Sequence, residues 1–154
     1  RPLFVRTPNS KFNLANFMKV NLYTSLGAVK LGMDILLKDE GVKLERMMGH
    51  GGLFKTKGVA QRYLSAAVNA PVTVMTTASE GGAWGIALLA AYLVDGKADG
   101  VTLGDYLEKR IFPQLAGEAI MATPEEVAGF ETFTRRYSAG LDAERAAIKA
   151  VTWE

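Results

Sequence analysis

The sequence predicts an α/β fold with few strands and several helices. Extended and helical segments alternate through the middle of the chain, as they do in α/β proteins whose strands run parallel. Helix candidates nevertheless outnumber strand candidates. A parallel sheet is covered on both faces and needs more strands than the few that are predicted here. The 154 residues are enough to bury one core. We therefore expect the chain to form part of a larger α/β domain.

Composition narrows the class of protein. The chain is 49% hydrophobic and 22% charged, as is usual for a globular protein, and its net charge of +2 comes from scattered residues. No nucleic-acid footprint and no membrane span are predicted. The chain has no cysteine, so it can form neither disulfides nor thiolate metal sites, and a cytoplasmic location is expected. The start at Arg1-Pro2, without a methionine or a signal pattern, predicts a piece of a longer protein.

The first part of the chain predicts a short extended segment and a long helix. The extended segment covers 2–5, and turn-forming residues follow it. Asn13 is a suitable N-cap for a helix that runs to about Lys38, and Gly41 suits a left-handed cap after its end. An apolar face of this helix is predicted from residues spaced four and three apart, namely Leu22, Leu26, Val29, Met33 and Leu36.

The middle and the tail are predicted from turn residues and helix caps. The middle elements are a strand over 43–48, a glycine turn over 49–52, a helix over 57–69, a strand over 71–75, a turn over 78–82 and a helix over 83–94. The tail elements are a helix from Thr102 to about Lys109, a loop that holds Pro113 and Gly117, and a helix from the Thr123–Glu126 capping box through Ala150, with Gly140 as a point where it could break.

The most informative stretch is 49–56, which reads GHGGLFKT between a strand and a helix. Glycines let backbone N–H groups approach a ligand, and the N-terminus of the following helix favours anions. Phosphate or nucleotide recognition is therefore chemically reasonable. The spacing is that of neither a P-loop nor a dinucleotide fingerprint. On this stretch alone, a tight turn with no ligand is favoured over ligand binding.

A second glycine turn, EGGAWG at 80–85, precedes a helix of small residues. It could lie beside a ligand or could only allow close packing. His50 is the only histidine, so a site with several histidines is excluded, and a role in packing the turn or in bonding to the backbone is favoured over catalysis. Carboxylates such as Asp34 are interpreted as solvated helix charge. The aromatic residues Phe130, Phe133 and Tyr137 are interpreted as a packing face.

The order and spacing of several segments resemble one family. These segments are RPLF at 1–4, the long helix from Asn13, 48–56, APV at 70–72 and EGGAWGIALLAA at 80–91. Together they resemble the last part of the FGGY carbohydrate kinases, the family of xylulose, ribulose and glycerol kinases. The tail from Thr123 to Tyr137 is similar to the closing helices of pentulose kinases.

The resemblance implies an actin-like, ribonuclease-H-like ATPase domain, of which this chain is the C-terminal lobe fragment. Residues 1–94 would be its nucleotide-binding part and 95–154 a helical extension. Mg-ATP would lie in the cleft between two lobes. The resemblance places Gly51 and Gly52 against the phosphates and ribose, and Thr56 in the adenine pocket. It places Glu80, Gly81 and Gly82 at the same end of that pocket.

The resemblance also implies an activity. The chain would serve a kinase that transfers the γ-phosphate of ATP to a ketopentose such as xylulose, with L-ribulose or another sugar or polyol as alternatives. The general-base aspartate, the phosphate loop and most sugar contacts would lie in an N-terminal lobe. No catalytic residue and no metal ligand are therefore assigned here, and the chain alone is expected to be inactive.

Two other functions remain open. One is an actin-like module that binds nucleotide and transfers nothing, and the other is a helical interaction domain whose glycine turns only pack. The apolar face of the first helix could pack internally, against a missing lobe or in a homodimer.

Overall fold

The computed structural model describes residues 3–76, 81–114 and 117–151. Within these ranges the chain is mostly helical and has a small sheet, which is consistent with the predicted α/β class. The helices and strands are α1 (Leu14–Asp34), β1 (Met47–Gly49), α2 (Val59–Val68), β2 (Val72–Met75), α3 (Gly81–Ala91), α4 (Leu103–Tyr106), β3 (Gly117–Ile120) and α5 (Pro124–Ala150). Short π-helical turns continue α1, α3 and α4 over Ile35–Asp39, Tyr92–Gly96 and Leu107–Ile111.

The chain divides into two compact units, each built from separate segments. The helical unit comprises Arg1–Leu44, Tyr63–Asn69 and Ala122–Glu154, and the sheet unit comprises Glu45–Arg62 and Ala70–Met121. Helix α2 contributes its first residues to the sheet unit and the rest to the helical unit.

The sheet unit holds the strands in the order β1-β2-β3. β1 and β2 are parallel, with Met47 opposite Val72, whereas β2 and β3 are antiparallel, with Val72 opposite Ile120. The predicted parallel arrangement therefore holds for one pair only, and the predicted loop at Gly117 is wrong. Ile120 is the one residue of β3 that is typical of strands, and the strand is mostly exposed, so backbone pairing defines it. Gly117 is required there, because a Cβ on it would lie 2.7 Å from Cγ2 of Thr73.

The predicted helix caps are confirmed. The side chain of Asn13 accepts a hydrogen bond of 2.8 Å from the amide of Asn16, at the start of α1. At the start of α5, Thr123 and Glu126 form a capping box with proline in the first turn. Gly41 has a φ of +66°, as a left-handed cap requires. The break considered near Gly140 does not occur, because one glycine costs a long helix only about 1 kcal/mol.

The core of the helical unit is aromatic. Phe130 of α5 is fully buried, and its ring lies 4.5 Å from that of Tyr23 and 5.7 Å from that of Phe133, between ring centroids. The packing role predicted for these aromatic residues is confirmed. Ser65 joins this core from α2, and its hydroxyl accepts a 2.8 Å hydrogen bond from the amide of Ala122.

The packed face of α1 agrees with the predicted one only in part. Leu26 is buried as predicted, but Val29 and Leu36 are 42% and 46% exposed, and Tyr23 and Lys30, which were not predicted, are buried. The Tyr23 ring enters the aromatic core, and the Lys30 ammonium group pairs with acidic side chains. The prediction counted apolar residues at helical spacing, and such a count cannot identify a buried lysine. Within the described part of the chain, no helix is long and apolar enough to cross a membrane.

Candidate functional site

The first glycine turn follows β1 directly, at the carboxyl end of the parallel pair β1–β2. Ligands of open α/β sheets bind at this edge. Gly51 has φ +100° and ψ 178°, a conformation that side chains rarely adopt, and its carbonyl accepts a 3.0 Å hydrogen bond from the amide of Phe54. A short 3-10 helix over Gly52–Lys55 then leads into Thr56. The predicted turn between a strand and a helix is confirmed.

The surface above this turn is open. A Cβ added to Gly51 or to Gly52 would meet no atom within 4 Å, and Gly52 has no positive φ. By contrast, a Cβ on Gly49 would overlap the ring of Phe54, so Gly49 serves packing. Thr56 is exposed at the end of the turn. A ligand could therefore approach the backbone of Gly51 and Gly52 closely.

The second glycine pair begins a helix. Gly81 and Gly82, predicted as the end of a turn, are the first residues of the eleven-residue helix α3. The first N–H groups of an α-helix have no partner within the helix and attract anions. A Cβ on Gly82 would also meet open space. Glu80, the remaining predicted site residue, lies outside the described residues.

His50 joins the two glycine pairs within the sheet unit. A Cβ on Gly81 would lie 2.8 Å from Cβ of His50 and 3.2 Å from its Nδ1, so the ring packs directly on the backbone of α3. The imidazole also stacks on Trp84, with ring centroids 6.2 Å apart and planes 10° from parallel. The packing role predicted for His50 is confirmed. Its contact with Gly81 brings the pairs Gly51–Gly52 and Gly81–Gly82 to one region.

Two features of this region were not predicted. Nδ1 of His50 is buried and has no hydrogen-bond partner among the described residues. Gln61 of α2 is 4% exposed, and its Nε2 donates hydrogen bonds of 2.7 Å to the carbonyl of Val72 and 2.5 Å to that of Glu118. Gln61 thereby holds the helix that follows the first glycine turn against two strands. A glutamine in an amphipathic helix gives no sequence signal for such a role.

The contact between His50 and Gly81 predicts a difference between neighbouring glycines. Gly81→Ala should destabilise the chain by about 1–3 kcal/mol, because the new methyl group must displace the imidazole. Gly82→Ala should be neutral or stabilising by about 0.5–1 kcal/mol, because its Cβ meets open space in a helix. Urea unfolding of the two variants and the wild-type chain measures the difference. Equal effects at the two positions would refute the packing of His50 on Gly81.

A separate cavity of about 280 Å³ lies in the helical unit and has charged residues in its wall. Nζ of Lys30 lies 2.7 Å from Asp34 and 2.6 Å from Glu131, and Lys38 lies 3.2 Å and 3.6 Å from the same two carboxylates. We call these four residues the ion quartet. Asp34, interpreted from the sequence as solvated, is instead a partner of a buried lysine. The four charges satisfy one another, so this cavity offers a ligand no unpaired charge.

No metal centre is found in the part of the chain that the structure describes, since no three histidine, aspartate or glutamate side chains come together there. The donor set of the glycine pairs instead suits an anion. Backbone amides at an open turn and at a helix start are the groups that bind phosphates. The residues present therefore fit the phosphate groups of a nucleotide.

The structure is consistent with an α/β protein that has a candidate phosphate-binding site at the carboxyl edge of its one parallel strand pair. Comparison with known families shows that the model of the FGGY family of carbohydrate kinases, C-terminal domain, matches residues 1–94. This range covers more than half of the chain and includes both glycine pairs. The chain therefore belongs to the FGGY family of carbohydrate kinases.

Members of this family are ATP-dependent sugar kinases, which work with ATP and a divalent metal ion and act on small molecules. The family implies the actin-like ATPase fold, and a mostly helical chain with a small sheet is consistent with it. Comparisons with curated proteins and with solved structures give no match.

Proposed function

We propose that this chain binds Mg-ATP through its two glycine pairs and supplies the nucleotide-binding part of a sugar kinase. The observation that carries the proposal is the packing of His50 on Gly81, because it connects the open turn at Gly51 and Gly52 to the start of α3, where Gly82 is also open. Either glycine pair alone would be explained by tight packing. Two pairs that are connected through His50, both within the range matched by a kinase family, favour a shared ligand.

The phosphates are assigned to the glycine pairs. A phosphate oxygen needs N–H donors that no side chain covers. A Cβ added to Gly51, Gly52 or Gly82 would meet no atom within 4 Å, so these backbones are accessible. The α3 N-terminus adds the partial positive charge of its helix dipole. In this proposal Gly81 contributes through its packing on His50, which orients the start of α3 toward the first turn.

The base and ribose are assigned to the polar residues beside the pairs. Thr56 is exposed where the first turn ends, and its hydroxyl can both donate to and accept from an adenine edge. Glu80 precedes α3 in the sequence, and we propose it at the same end of the nucleotide. Bound ATP supplies the phosphoryl group, and its magnesium ion reaches the site on the phosphates, as Mg²⁺ commonly does in nucleotide enzymes.

The acceptor we propose is a ketopentose such as xylulose, with L-ribulose as the alternative. Support comes from the likeness of the segment Thr123–Tyr137 to the closing helices of pentulose kinases. In this function the chain binds the nucleotide, and none of its described residues acts as the general base. Residues of the chain bind and orient ATP, and they keep its phosphates against backbone donors.

A charge placed in the first glycine turn tests the proposal. Gly52→Asp should weaken the binding of Mg-ATP and of ADP at least about tenfold, which corresponds to about 1.4 kcal/mol, because its carboxylate would repel the phosphates. The position is suitable because Gly52 has open space and no positive φ, so the fold should persist. Isothermal titration calorimetry measures the two affinities.

Two variants control this experiment. Gly52→Ala adds a methyl group without charge and should cost less affinity than Gly52→Asp. Gly104→Asp adds the same charge to α4, where a Cβ has no atom closer than 4.0 Å, and should bind like the wild-type chain. Equal nucleotide affinity in Gly52→Asp and the wild-type chain would move the phosphate site away from this turn.

A further inference from the structure

His50 carries a chemical group that the packing of the sheet unit does not explain. Its ring is fixed on one side by the Trp84 indole and on another by the backbone of Gly81. These contacts would be served equally well by an apolar aromatic ring. Nδ1 is nevertheless a strong hydrogen-bonding atom, and in the described part of the chain it is buried with no partner.

An unpartnered buried nitrogen is unfavourable, and nearly all such groups in folded proteins have a partner. The surroundings of Nδ1 indicate where a partner can come from. Nδ1 faces the start of α3, lying 3.2 Å from the Cβ position of Gly81, and the open turn at Gly51 follows His50 directly. A ligand held by both glycine pairs would therefore lie beside the His50 ring, and a small movement of that ring would bring Nδ1 into contact with it.

We propose that Nδ1 of His50 hydrogen-bonds an oxygen of the bound nucleotide, which makes His50 a nucleotide-binding residue of the site. The inference rests on the proposed nucleotide binding and adds a side-chain contact to the backbone donors. Two oxygens of a nucleotide meet the requirement. A ribose hydroxyl can donate to an unprotonated Nδ1, and a phosphate oxygen can accept from a protonated one.

Two variants separate the nitrogen from the ring. His50→Phe keeps an aromatic ring against Trp84 and Gly81 but removes the nitrogen, whereas His50→Asn keeps a polar atom near the position of Nδ1. Calorimetry with ADP should show about a tenfold loss of affinity in His50→Phe, the usual cost of one lost hydrogen bond to a charged or polar ligand. His50→Asn should stay within about threefold of the wild-type chain, because it can still form the bond.

A second measurement uses the wild-type chain only, so it does not depend on whether a variant folds. His50 is the only histidine of the sequence, so both imidazole ¹⁵N resonances belong to it, and their couplings to the ring protons distinguish Nδ1 from Nε2. Addition of ADP should shift the Nδ1 resonance. A shift with inorganic tripolyphosphate as well identifies a phosphate oxygen, and a shift with ADP alone identifies a ribose hydroxyl.

The outcomes distinguish this inference from the function on which it rests. If the wild-type chain binds ADP while His50→Phe binds it equally well and the Nδ1 resonance stays in place, the inference is wrong and nucleotide binding stands. If the wild-type chain binds neither ADP nor Mg-ATP, both fail. Loss of affinity in His50→Phe together with a shifted Nδ1 resonance supports both.

Discussion

Phe130→Ala should destabilise the chain by about 3–5 kcal/mol, the range for removing a fully buried aromatic side chain. Phe130 is 0% exposed, and its ring contacts Tyr23 of α1 and Phe133 of α5. The substitution removes the apolar contact area and leaves a cavity that two helices cannot close without moving. A loss of this size is a large part of the stability of most domains. Urea unfolding followed by circular dichroism measures it.

Phe12→Ala is the matched control for this substitution. Phe12 belongs to the same unit, but its side chain is 56% exposed and its ring has only peripheral aromatic neighbours. We expect a change below about 1 kcal/mol. Similar losses for the two variants would mean that the aromatic core is not centred on Phe130.

Local signals in the sequence determined much of this fold. The caps at Asn13 and at the Thr123–Glu126 box satisfy helix N–H groups within three residues of themselves. Such caps can therefore be predicted from the local sequence without tertiary information. β3 could not be found in this way. Its four residues are defined by pairing with β2, whose residues lie 42 to 48 positions earlier in the chain, and the composition of Gly117–Ile120 does not predict that pairing.

In the candidate site, too, the local features could be predicted from the sequence and the long-range contacts could not. Each glycine pair was predicted from its own composition, and Gly51 has the positive φ that such a turn requires. Their meeting could not be predicted, because it depends on the stacking of His50 on Trp84 and on the bare backbone of Gly81. Long-range contacts between an imidazole and a helix start leave no periodic pattern in a sequence. The roles proposed for Thr56 and Glu80 remain predictions.

The ion quartet shows why charge is hard to interpret from sequence alone. Lys30 and Asp34 are spaced as an ordinary exposed pair on one helix, which contributes little. In the structure, Glu131 of α5 completes the pairing, and the Lys30 side chain is only 5% exposed. A lysine becomes acceptable in a core only when its ammonium group is fully paired, and that depends on a residue one hundred and one positions away.

Lys30→Met should therefore destabilise the chain by about 2–3 kcal/mol. Removing one partner of a fully buried pair costs about 3–5 kcal/mol, because the remaining charge is left without compensation. The expected loss is smaller here, since Asp34 and Glu131 are 21% and 34% exposed and Lys38 still contacts both. Arg145→Met is the control, because its pair with Asp142 is largely exposed and should change stability by less than about 0.5 kcal/mol. Urea midpoints of the two variants compare them directly.

The pH dependence of stability provides an independent test of the quartet. Burial acts to raise the pKa of Asp34, but the hydrogen bonds and charges of Lys30 and Lys38 outweigh it and hold that pKa below its ordinary value. A carboxyl with a lowered pKa in the folded state stabilises the fold above its unfolded pKa, and that contribution disappears as the pH falls through the lower value. The hydrogen bond to Asp34 raises the pKa of Lys38, so its smaller contribution is lost only in alkali. Lys30→Met should thus approach the stability of the wild-type chain in acid and fall behind it near neutrality. A constant difference across the acid range would mean that Lys30 contributes through packing and not through its charge.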